Sequence, residues 1–142
     1  MTKPNPQVGL IVRFKYRFKS KELEEQNRED DKRRPCVIVL VPTAEGQPVR
    51  AMVCAITHSR PRGDDVGVEI PDDFTAVMGL DKDPQWVIAS EANLFAWDHE
   101  CLVEREGGGW TYGVMTQSLL DQVRARYVAI YRERGPDAII QP

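Results

Sequence analysis

Arg33 and Arg34 stand directly before Pro35 and an unbroken apolar run, RRPCVIVL. A guanidinium is a planar fork of donors that matches phosphate oxygens two at a time. The Pro35 ring restrains the residue before it to extended backbone, which sets the direction of the Arg34 side chain. A second apolar run, VRAMVCAIT, ends in Thr57, where a strand turns polar and a hydroxyl can emerge at its rim. His58 follows, one of two histidines in the chain, and histidine is the side chain that exchanges protons near neutral pH. Ser59, Arg60 and Arg62 continue this polar, cationic link. A cation, a hydroxyl and an imidazole are the groups that phosphate chemistry needs for charge stabilisation and proton transfer. Strand alternation sends neighbouring side chains to opposite faces, so His58 shares the Thr57 side only if the strand has already ended.

Each residue also has a plainer reading. Arg34 can be an edge charge paired with Asp30 or Asp31, and Thr57 an ordinary strand former. Cys36 and Cys54 read as small buried apolar residues on neighbouring strands. Together with His58, His99 and Cys101 they can be drawn as a zinc site, but the chain has no CxxC or HxxxH spacing, and no metal or cofactor is expected. The triple glycine Gly107–Gly109 is a loop, because no strand-then-helix context makes it a phosphate cradle.

The elements that must carry these groups follow from pattern. A chain of 142 residues suits one domain, and a net charge of -3 argues against a surface that binds polyanions everywhere. Three cysteines, an odd count without paired spacing, fit a reducing compartment and suggest the cytoplasm. The longest apolar stretch, Cys36 to Val41, is too short to span a bilayer. From Val12 to Phe18 the sequence VRFKYRF alternates, setting Val12, Phe14, Tyr16 and Phe18 inward and Arg13, Lys15 and Arg17 outward. Residues 19–34, KSKELEEQNREDDKRR, read as a mobile, charge-balanced loop. PCVIVLVP and VRAMVCAIT predict two strands of an antiparallel hairpin, and GVEIP a short third. PDDF opens a helical turn. WVIASEANLFAW predicts one long strand bent near Glu91, with Cys101–Val103 a short one after it. Leu120, Val123, Tyr127 and Ile130 recur at helical spacing behind Thr116 or Ser118, and Gly135-Pro136 stops that helix before a tail over residues 135–142. Five or six strands and one C-terminal helix indicate a mainly β fold, a small antiparallel barrel.

RRPCVIVL and VCAITHSRP resemble the two central strands of the PemK/MazF-like toxins of bacterial toxin-antitoxin systems. The opening GLIVRFKYRF, the charged loop before Arg34-Pro35, the strand ending at Thr57, GVEIP, the long strand around LDKDPQWVIASEANLFAW and the closing YGVMTQSLLDQVRARYVAI extend the likeness over nearly the whole chain. The basic exterior of the first strand and the length of the charged loop depart from the family's pattern. The resemblance implies an SH3-like barrel, usually a homodimer, that cleaves single-stranded RNA without a metal and is neutralised by a cognate antitoxin. On that reading Arg34 stabilises phosphorane charge and Thr57 positions the scissile phosphate, while His58, adjacent in sequence and suited to proton transfer, is the candidate to move a proton. Arg13, Lys15, Arg33, Ser59, Arg60 and Arg62 would track the RNA backbone, with Trp86, Trp97 or Trp110 as stacking platforms. The alternative on the same fold is a non-catalytic module that binds a protein, as CcdB-like gyrase poisons do.

Overall fold

β-Branched runs without polar alternation, such as VIVL and MVCAI, are stable as strands only where both faces are covered. In the computed structural model, which describes residues 2–19, 33–75, 79–80 and 84–142, the cover comes from two separate cores. Val37, Val39, Met52, Cys54 and Ile56 face one core, closed by Leu119, Leu120, Val123, Tyr127 and Ile130 of the long helix. Cys36, Ile38, Ala51, Val53 and Ala55 face the other, with Val12, Phe14, Tyr16, Phe18, Ile88, Phe95 and Leu102. Fully burying one such large side chain contributes roughly 1.5–3 kcal/mol.

The described residues form nine strands: β1 Leu10–Phe14, β2 Arg34–Leu40, β3 Arg50–Thr57, β4 Gly67–Glu69, β5 Trp86–Ile88, β6 Ala92–Ala96, β7 Leu102–Val103, β8 Thr111–Val114 and β9 Ile139–Ile140. One helical turn, α1 Asp72–Thr75, follows β4, and α2 spans Gln117–Arg134. The sheet order is β4-β5-β3-β2-β1-β7, with β6 also on β3 and β8 also on β1. Pairing is antiparallel except for the short parallel contact of β9 with β6. β2 and β3 form the expected hairpin, pairing Cys36 with Ala55 and Val37 with Cys54.

Three expectations need correction. The sheet is open by its hydrogen bonding: among the described residues no pairing joins the β1 side to β4, β5 or β6, and closure requires such a pairing. Two strands instead divide an edge between two partners. β3 gives Arg50–Val53 to β6 and Ile56–Thr57 to β5, and β1 divides its outer edge between β7 and β8. The single strand expected over 86–97 is therefore two. It breaks where Ala89 N donates to Val66 O at 2.7 Å and Ser90 Oγ accepts from Val66 N at 3.1 Å. The strand expected over 12–18 ends at Phe14, although Tyr16 and Phe18 keep their inward orientation.

α2 begins after Thr116 and buries the four residues expected of it, plus Leu119. Gly135, at φ +60° and ψ -138°, takes a backbone conformation that only glycine adopts readily, and the helix ends there. The segment expected as a tail turns through a 3-10 helix, Gly135–Ala138, into β9, and Tyr127 Oη donates to Ala138 O at 3.1 Å. Most of the charged segment, residues 20–32, lies outside the described residues, as do Asp30 and Asp31. Among the described residues no helix is long and apolar enough to cross a membrane.

Candidate functional site

Carrying the β2/β3 register two residues beyond Cys36 and Ala55 sets Arg34 opposite Thr57, on one face of the sheet. The β2–β3 pairing runs only as far as Cys36 and Ala55, and Pro35 has no N–H with which to extend it. At this point a cleft of about 430 Å³ opens, lined by Arg33, Arg34, Pro35 and by Ile56, Thr57, His58 and Ser59. Its far wall is Gly79, Leu80, Gln85 and Tyr112. The lining thus carries two guanidiniums and, among the described residues, no carboxylate. A guanidinium in such a lining can bind an oxyanion through two parallel hydrogen bonds.

Arg34 is buried, 5% exposed, with Cζ 4.9 Å from the centroid of the Phe18 ring. A guanidinium held over a ring and away from bulk water exerts a stronger field than a solvated one. Thr57 is 4% exposed, and its Oγ1 accepts from Ser59 N at 3.0 Å, a turn that ends β3. Having accepted there, the hydroxyl has its proton to donate. Because β3 ends at Thr57, alternation does not govern His58, and its side chain lines the same cleft. His58 Nδ1 lies 2.9 Å from Pro84 O. A carbonyl only accepts, so Nδ1 carries the hydrogen and, in the neutral ring, Nε2 holds the lone pair.

The far wall depends on a close backbone approach. Gly79 has φ +71°, and a Cβ there would overlap the carbonyl of Tyr112. Tyr112 is half-buried under Arg105, whose Cζ sits 4.4 Å from the ring centroid while Nη1 donates to Thr111 O at 3.1 Å. Burial pushes the Tyr112 phenol up, and Arg13 and Arg105 only partly offset this.

Other expected site residues lie elsewhere. Arg13 reaches Glu104 O at 3.1 Å and Glu106 Oε1 at 3.4 Å, away from the cleft lining. Lys15 is exposed, near Cys101. Arg60 and Arg62 are exposed on the loop after Ser59 but do not line the cleft. Trp97 and Trp110 sit near Lys3, whose Nζ is 5.9 and 5.1 Å from their rings, and Trp97 Nε1 donates to Pro4 O. The aromatic residue in the cleft is Tyr112, which spacing did not single out. A tyrosine just after a triple glycine was the available signal, and it is a faint one. Cys36 and Cys54 face opposite cores, and burial pushes the Cys36 thiol up to about 12 and the Cys54 thiol higher still. Neither is poised as a nucleophile. Among the described residues no three His, Cys, Asp or Glu side chains group as metal ligands would. The chain matches no family model and no curated protein.

Proposed function

We propose that this protein is an endoribonuclease of the PemK/MazF-like kind, the toxin of a toxin-antitoxin system, cutting single-stranded RNA at preferred sequences without a metal. The observation that carries this reading is that Arg34, Thr57 and His58 line one cleft with two guanidiniums and no carboxylate among its described lining. On this reading the ribose O2′ attacks the adjacent phosphorus as its proton passes to His58 Nε2. The O2′–P bond forms, the P–O5′ bond breaks, and O5′ leaves with a proton from solvent, giving a 2′,3′-cyclic phosphate and a 5′-hydroxyl. Arg34 holds the equatorial oxygens of the phosphorane, and the Thr57 hydroxyl donates to one of them. The charge to be stabilised develops on the phosphate, so a preorganised cation lowers the barrier more than it tightens substrate.

On this reading the open sheet is an SH3-like barrel left unclosed at its outer strands. A homodimer in the cytoplasm, held in check by a cognate antitoxin, belongs to the same reading. The deciding assay incubates the protein with unstructured RNA in EDTA. Cleavage is expected to persist under chelation and to fall about a hundredfold or more in Arg34→Ala. Intact RNA with the wild-type protein, or full activity in a folded Arg34→Ala variant, rejects the proposal.

A further inference from the structure

Among the described residues four buried polar side chains lie outside the cleft lining: Thr75, Ser90, Glu91 and Asn93. Asn93 on β6 is fully buried, and Glu91, at the break between β5 and β6, is 4% exposed. They interrupt an otherwise apolar stretch, and burying an amide or a carboxylate is unfavourable unless it is hydrogen-bonded. Both hold backbone groups of residues 17–19. Asn93 Oδ1 accepts from Arg17 N at 2.9 Å and its Nδ2 donates to Arg17 O at 3.0 Å. Both carboxylate oxygens of Glu91 accept from Lys19 N, at 3.3 and 3.2 Å.

β1 has ended at Phe14, so residues 15–19 no longer belong to its ladder. The two side chains supply the hydrogen bonds that a neighbouring strand would give. The residue between the two clamps is Phe18, 3% exposed, which packs on Tyr16 with ring centroids 4.8 Å apart and lies under the Arg34 guanidinium. A ring face attracts a guanidinium and restricts where it can sit. Contacts thus run from β6 and Glu91 through residues 17–19, outside the sheet ladder, to the cleft.

We infer that Asn93 and Glu91 are positioning residues, which seat the Phe18 ring as the platform that aims Arg34 into the cleft. The inference rests on the phosphate-binding role proposed above for Arg34. A catalytic cation must be held to within a fraction of an ångström, and locked neighbours achieve this better than a flexible side chain alone. Phe18→Leu removes the ring face and leaves the clamps, whereas Asn93→Ala removes one clamp and leaves the ring. Phe18→Tyr retains both.

The test reads Arg34 directly, by mass spectrometry of phenylglyoxal modification on the folded protein, with exposed Arg33 as the internal reference. Arg34 is expected to react slowly in the wild type and in Phe18→Tyr, and about tenfold faster in Phe18→Leu and Asn93→Ala, a factor of the size of one desolvated cation–ring contact. Cys36 is expected to stay closed to iodoacetamide throughout. In single-turnover RNA cleavage the same two variants should lose about tenfold in rate with the RNA Kd within about twofold of the wild type. Should Asn93→Ala fail to fold, Asn93→Asp, which keeps the acceptor for Arg17 N and loses the donor to Arg17 O, is read in its place. Unchanged Arg34 reactivity in a folded Phe18→Leu or in the folded Asn93 variant overturns the inference, and so does a gain accompanied by labelling of Cys36, which marks general loosening. If the wild type leaves RNA intact, the nuclease reading falls while arginine protection still judges the platform.

Discussion

Arg13 and Arg34 sit on adjacent paired strands, one register step apart, since Arg13 faces Pro35 and Phe14 faces Arg34. Alternation sends their side chains to opposite sides of the sheet. Arg13 meets Glu106, itself 91% exposed, and the carbonyl of Glu104. Arg34 enters the second core's edge, 5% exposed, over an aromatic ring and beside a hydroxyl. The residue type is the same, yet one guanidinium ties a surface loop and the other brings charge to a cleft. What separates them is the company each face provides.

The sharpest way to break this contrast is to remove each cation in turn. Arg34→Ala should cost about 3 kcal/mol of barrier, read as single-turnover RNA cleavage, with the fold retained. The cleft wall gives the next effect. Gly79→Ala forces a Cβ against the Tyr112 carbonyl at a left-handed φ, and should lower unfolding free energy by about 2 kcal/mol in urea titrations.

A third prediction concerns pH. Cys36 lies beneath Arg34, its Sγ donating to Arg34 O at 3.6 Å, and burial raises its thiol from 9.0 to about 12. Below pH 9 folded and unfolded chains both keep this proton. Above it the unfolded chain loses the proton while the folded one retains it, so stability falls as pH climbs from about 9 towards 12. The loss from this group is about 1 kcal/mol by pH 10, and a shallower slope of urea midpoint against pH in Cys36→Ala checks it. Cys54 and Tyr16, also raised by burial, add to the wild-type slope. The smallest effect belongs to the other cation. Arg13→Ala should change stability by about 0.5 kcal/mol or less, given its solvent-screened partner, and leave the cleavage rate within about twofold.

Local periodicity made much of the fold legible. Val12, Phe14, Tyr16 and Phe18 alternate inward even where the strand has ended, and Leu120, Val123, Tyr127 and Ile130 mark the buried stripe of α2. The split edges were not legible. Whether Trp86–Trp97 pairs as one strand or two depends on a backbone donor from Val66, some twenty residues away, and no local pattern encodes that contact. The candidate site divides in the same manner. Arg34, Thr57 and His58 sit at the ends of recognisable runs, where polar side chains meet apolar strands. Tyr112, Gln85 and Gly79 join them only through chain reversal. Arg13 looked available because Glu106, its partner, lies ninety-three positions along the chain.

Every residue of β3 pairs with at least one neighbour: Arg50–Val53 with β6, Met52–Ala55 with β2 and Ile56–Thr57 with β5. Its amides should therefore exchange with deuterium only when the whole domain opens, whereas those of the loop after Ser59 should exchange early. Thr57, at the end of that strand, sits where the slowest-exchanging segment gives way to a fast one: a firm anchor for the hydroxyl, with a loosely tethered stretch within reach of an arriving ligand.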